Sequence, residues 1–280
     1  MNSGVHSTPS DSAAPGLAVQ AWTIRDALAE DAAAACARLA EIGYSQIELF
    51  GVTDRLDALV AATTGAGLSV PSIHAGLLSL PDDAAVAEVF AAAQALGAGT
   101  VIDPFYSKEI WTDADEVAAA AERLNRIAAL GAANGLQIGY HNHDFELSSK
   151  LGDRPALEVF AEQLDPQVAL EVDTYWAQVG GVDAPELLRR LGARVKLIHA
   201  KDGDLSLDNT AQTALGHGRM DVPAVAAAVA ELGSVHTVVV ELDDTSGDIW
   251  QAVTDSLPYA RQTFGIAPAA GSAAATGGAE

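Results

Sequence analysis

Short apolar runs alternate with longer alanine-rich segments along almost the whole of this chain, and that alternation constrains the fold more than any motif does. The runs are Leu17–Ala21, Gln46–Leu49, Ser69–His74, Thr100–Ile102, Gln137–His141, Ala169–Asp173, Lys196–His199 and Thr237–Glu241. Their lengths suit strands of a parallel sheet buried on both faces. Between them the pattern predicts helices over Asp31–Ile42, Asp54–Ala66, Asp82–Leu96, Thr112–Asn134, Pro155–Leu164, Asp183–Leu191, Val222–Leu232 and Ser246–Phe264. Gly43, Gly97 and Gly135 stand where C-caps belong, and acidic residues open the segment at Thr112, where they complement a helix N-terminus.

Strand–helix units repeated in this way, without a long unstructured insert, predict a closed (β/α)8 barrel: one domain over residues 17–266 of the 280. A doubly wound open sheet is the rival. It would usually carry a glycine-rich phosphate loop after the first strand, and VQAWTIRD contains no glycine. Residues 1–16, rich in Ser, Pro and Ala without an apolar core, are expected to be a disordered leader, and residues 267–280 a disordered tail. No apolar run is long enough to span a membrane. The lone Cys36, in an alanine-rich helix, fits a small buried residue and a reduced, cytoplasmic setting.

With 38 acidic against 15 basic residues the net charge is -23, which argues against a nucleic-acid partner and suits a site that collects cations. In such a barrel the reactive groups stand where strands end and loops begin. Read strand by strand, those positions hold Trp22, Glu48, His74, His141 with His143, Asp173, His199 with Lys201, and Glu241 with Asp243. His141 and His143 share one strand face; so do Glu171 and Asp173, and so do Val195, Leu197 and His199. Inward pointing brings His141, Asp173, His199 and Glu241 together. Two imidazoles and two carboxylates suit one divalent ion: manganese first, with zinc, cobalt or iron close behind and magnesium less natural. Singly, each histidine is a satisfied polar residue more often than a ligand; the convergence of four ligand types on successive strands reverses that balance. Glu171, one pleat deeper, reads as an internal hydrogen-bond partner. Trp22 and Trp176, with His74, are candidates for contact with the substrate, the tryptophans by stacking on a sugar face.

The segments GLAVQAWTIRD, GYSQIELFG, SIHAGL, IGYHNHDFEL, LEVDTYWAQVGG, VKLIHAKDGD, ALGHGRMDVPAV and VVVELDD resemble the sugar phosphate isomerase/epimerase family, which has a xylose isomerase-like barrel. The resemblance runs from Leu17 to Phe264 and is most specific in GYHNHDFE followed by DTYW and IHAKD. It implies one divalent metal held at the ends of the last four strands, which carries over to His141, Asp173, His199 and Glu241. Ketose epimerases of the family use a glutamate where this chain has His141. That departure weakens a symmetric two-glutamate epimerisation and brings in dehydration or β-elimination, since a branch resembling inosose dehydratases is also histidine-rich at this strand.

The expected activity is therefore metal-dependent isomerisation or epimerisation of a small sugar or keto-sugar through an enediolate. Glu241 is the first base, Glu48 or His143 the second acid/base, and Lys201 a donor to a developing oxyanion or a substrate hydroxyl. A keto-sugar dehydratase or β-eliminating lyase is the alternative, and a non-catalytic sugar-binding protein the rival of another class. An endonuclease on this barrel would need basic DNA-facing loops, which the acidic balance opposes. Homo-oligomers are common among such barrels.

Overall fold

The computed structural model describes residues 14–268. The leader and tail expected at residues 1–16 and 267–280 lie outside the described residues except for their inner ends, and Gly16 already belongs to the first strand. The barrel strands are β1 (Gly16–Gln20), β2 (Gln46–Phe50), β3 (Ser72–His74), β4 (Thr100–Asp103), β5 (Gln137–His141), β6 (Ala169–Asp173), β7 (Val195–Ala200) and β8 (Thr237–Val240). All pairings in this sheet are parallel, and β1 is bonded to both β2 and β8. The ring is closed. The open-sheet rival fails on that pairing.

The outer helices are α1 (Ala32–Ile42), α2 (Leu56–Ala66), α3 (Asp83–Leu96), α4 (Ala114–Ala133), α5 (Ala156–Gln163), α6 (Ala184–Leu191), α7 (Val222–Leu232) and α8 (Ile249–Phe264). Most begin one to three residues later than the sequence pattern places them, and in α1, α3, α4, α6 and α8 the reason is an aspartate cap. Asp31, Asp82, Asp113, Asp183, Asp221 and Asp248 are N-caps whose carboxylates accept the first free backbone N–H groups. Gly43 and Gly97 end α1 and α3 in the left-handed region, as their positions suggested.

Alternate strand residues divide the core. Outward-facing Leu17, Val19, Ile47, Leu49, Ile73, Val101, Ile138 and Val172 join the helix faces in one continuous apolar cluster. Inward-facing Ala18, Ile102, Ala169, Leu197 and Val239 are as deeply buried but fill the lumen instead. Gly139 makes room for them: a Cβ there would lie 2.5 Å from Ile102 Cδ1 and 3.0 Å from the Ala169 carbonyl oxygen. One expectation of face sharing is corrected. The β6–β7 register shifts between Leu170 and Glu171, so Val195 packs in the outer cluster while Leu197 and His199 point inward. Cys36 is fully buried in α1, and burial raises its thiol to about 11, in keeping with a packing role. Among the described residues no helix is long and apolar enough to cross a membrane.

Candidate functional site

Above this plug the inward positions become polar, and they lock together. Glu48, in the middle of β2, accepts hydrogen bonds from Gln20 Nε2 at 2.8 Å and from Ser72 Oγ. His199 on β7 spans two carboxylates, with Nε2 2.8 Å from Glu48 Oε1 and Nδ1 2.6 Å from Glu241 Oε2. His74 Nε2 lies 2.6 Å from Glu171 Oε2, which is also 3.2 Å from His199 Nε2 and from His141 Nδ1. Beside them, Lys201 Nζ sits among three carboxylates: Asp173 Oδ2 at 2.9 Å, Glu241 Oε2 at 2.8 Å and Asp243 Oδ2 at 2.8 Å. Gln212 holds Asp243 from the far side, through its side-chain amide and by accepting the Asp243 backbone N–H.

These groups are buried, so their charges depend on each other. Burial opposes a charged His74, but the Glu48 and Glu171 carboxylates outweigh it and push its pKa up to about 10. Burial opposes the charge on His199 too, and Glu171 and Glu241 raise it well above the ordinary histidine value. Glu48 and Glu241 are held below the usual carboxylate range despite burial, the first by His74 and His199, the second by Lys201 and His199. His141 goes the other way: burial and the neighbouring His199 charge keep it neutral. His143 is likewise pulled down to about 4 by burial and Lys201. Asp173 is raised to about 6, because burial exceeds the pull of Lys201.

A cavity of about 550 Å³ opens onto the network. Of the residues singled out in the sequence, Trp22, His74, His141, His143 and Glu241 line it, with Asp243. The others lie deeper. Glu48 is wholly buried under the imidazoles it binds, where it positions His74 and His199 and has no open face toward a substrate. Lys201 is 1% exposed, so its ammonium grips carboxylates below the cavity wall instead of facing a substrate oxygen. Trp176 is not a stacking platform: it is 5% exposed, and its ring lies 5.5 Å from the Lys201 ammonium. Gln20, Ser72 and Gln212, which tie the network together, have no sequence signal of their own, because amides and hydroxyls are common on strands and loops.

Two groups of side chains among the described residues have donor atoms close enough to share an ion: Asp173, His199 and Glu241, and, deeper, His74, His141, Glu171 and His199. In each, the donor atoms lie within 4.8 Å of one another, a spread that bonds of about 2.0–2.2 Å close with small side-chain adjustments. The expected quartet is thus divided. Three of its members form the upper group, while His141 falls in the deeper one, with its Nε2 3.9 Å from Asp173 Oδ2. Asp173 Oδ2 lies 2.9 Å from the Lys201 ammonium and His141 Nδ1 3.2 Å from Glu171 Oε2, so an ion here would compete with contacts these donor atoms already make. The donor chemistry fits a divalent ion.

A family model described as xylose isomerase-like TIM barrel matches residues 36–262. Solved structures give the same architecture. A sugar phosphate isomerase/epimerase from Parabacteroides distasonis ATCC 8503 superposes with a TM-score of 0.75 at 23% identity, over 93% of this chain and 97% of that one. A probable 3-DHS dehydratase from Bacillus anthracis, involved in petrobactin synthesis, gives a TM-score of 0.70 at 15% identity, over 88% and 98%. The IolI protein, solved with a zinc atom, gives 0.67 at 15% identity, over 89% and 98%. No curated protein matches significantly.

Proposed function

Because the chain belongs to the xylose isomerase-like TIM barrel family, we propose that it is a divalent-metal-dependent isomerase or epimerase of a small sugar or keto-sugar. The observation that carries this reading is the convergence of Asp173, His199 and Glu241 from three adjacent strand ends, with His141 beside them, at the floor of an open cavity. These four side chains would hold the ion; when bound, it supplies Lewis acidity toward a substrate carbonyl. Manganese is the first choice and zinc the second, the latter supported by the zinc atom of the IolI neighbour.

The remaining work falls to the chain's own groups. Glu241 is kept ionised by Lys201 and His199, so its carboxylate can accept a proton from the carbon next to the carbonyl. His143, kept neutral, lines the same cavity and is the second acid/base. Proton removal yields an enediolate. Its return to the neighbouring carbon gives an isomer, and its delivery to the opposite face of the same carbon gives an epimer. Lys201 holds Asp173 and Glu241 in place, and Glu48 holds His199. Both are positioning residues.

A second reading, a dehydratase or β-eliminating lyase, draws on one observation. The two bases on the cavity are unlike, a carboxylate and an imidazole, which suits removing a proton with one and protonating a leaving hydroxyl or alkoxy group with the other. The Bacillus anthracis neighbour is a probable dehydratase. Deuterium exchange by NMR in D2O, over a panel of ketoses and keto-glycosides with manganese, tests both. Exchange should stop, and the melting temperature fall, when a chelator removes the metal; undiminished exchange in metal-free protein would end the proposal. Products with unchanged composition favour isomerisation, and loss of water or an alcohol favours the lyase.

A further inference from the structure

The mouth of the barrel is chemically divided. β1 to β4 and the loops after them line the cavity with Trp22, Phe50, Val52, Leu80, Pro104 and Phe105. The wall from β5 and β8 is His141, His143, Glu241 and Asp243. Gln20, His74 and Thr53 are polar exceptions in the first half, and the first two are turned toward the buried carboxylates Glu48 and Glu171. One half of the ring is hydrocarbon, the other ionic.

A monosaccharide can lay one C–H face on a ring such as Trp22, but its edge hydroxyls lose hydrogen bonds where they meet hydrocarbon without partners. A sugar alone therefore covers only part of the apolar wall, in a cavity of about 550 Å³, a size that takes drug-sized ligands. A second observation points the same way. Among the described residues three large hydrophobic side chains stay exposed, and two of them, Trp22 at 43% and Phe105 at 44%, line this cavity. Trp22 also meets Phe50 edge to face at 5.1 Å, so the two rings form one continuous aromatic surface.

We propose that the ligand is amphiphilic: a sugar or keto-sugar joined to an aromatic or similarly flat apolar aglycone, with the sugar over the ionic half and the aglycone against Trp22, Phe50 and Phe105. The inference rests on the sugar-binding reading above and deepens it. An aglycone in this position adds affinity by burying its apolar area, and one aromatic ring should be worth about ten- to hundredfold.

Calorimetric titration of the manganese-loaded protein with 4-nitrophenyl β-D-glucopyranoside, methyl β-D-glucopyranoside and 4-nitrophenol tests it. The expected result is at least tenfold tighter binding of the aryl glycoside than of either other compound. Phe105→Ser and Phe50→Ser should bring the aryl-to-methyl ratio toward one while the methyl glycoside is little affected. Phe105 is exposed enough that its variant should fold, and an unchanged melting curve checks this. Equal affinity for the two glycosides, or a ratio that survives both variants, overturns the aglycone site and leaves the sugar reading standing. Binding of 4-nitrophenol as tightly as the aryl glycoside, or no binding of any of the three, also overturns the aglycone site, while the sugar reading stands or falls with the deuterium exchange above.

Discussion

Glu146 shows how much of this site lies in single residues that no motif flags. In GYHNHDFEL it reads as one more acid on a charged chain, yet it is fully buried, accepting from Tyr140 Oη at 2.9 Å and from the His143 backbone N–H at 2.8 Å. Burial raises its carboxyl to about 8, so the folded protein holds a proton there that the unfolded chain releases near 4.5. The sign follows from linkage: this proton's contribution to stability is complete below the unfolded pKa and is lost as pH rises toward 8. Glu146→Gln, permanently neutral, should therefore lose less stability than the parent between pH 5 and pH 9. The difference should be on the order of 4 kcal/mol, or several degrees of melting temperature. Melting curves at both pH values check it, and parallel curves for the two proteins would refute it. At this scale the nearness of Asp173, His199 and Glu241 could be read from strand ends, while the place of His141 in a deeper group could not. Nor could the placements of Lys201, Glu48 and Trp176, since strand position says which side chain enters the lumen but not how deep it lies or what covers it.

Strands and helices were the most readable level, and their errors have local causes. Helix starts were misplaced because aspartate is both an acceptable helical residue and a preferred N-cap, and only the backbone geometry separates the two. The face of Val195 was misread because a register shift on β7 leaves no mark in an apolar run. Gly139 is the reverse case, a strand glycine whose purpose only packing reveals. Gly139→Ala should cost about 1–3 kcal/mol, since its Cβ would meet Ile102 and the Ala169 backbone in a lumen with no slack. Denaturant unfolding measures it, and a neutral effect would show that the lumen yields more than its geometry implies.

For the whole molecule, the net charge of -23 sets a condition on stability that no single contact does. Part of the acid excess is spent at six helix N-caps, and part surrounds His199 and Lys201, but most exposed carboxylates repel one another across the surface. Raising NaCl from 0.05 to 0.5 M should raise the melting temperature by screening that repulsion; a fall would mean that the exposed ion pairs of Arg154, Arg189 and Arg190 matter more. Strand–helix alternation and the side chains that fall near strand ends can be read along the chain, because strand parity and helix periodicity are local properties, and the absence of a glycine-rich loop after the first strand tips the alternation toward a barrel. Tertiary structure alone decided that His199 meets Glu48, 151 residues away, that Lys201 is clamped among three carboxylates, and that the mouth has an ionic and a hydrocarbon half. Those outcomes depend on the register at which the ring closes, which is set by packing of all eight strands together and is written in none of them singly.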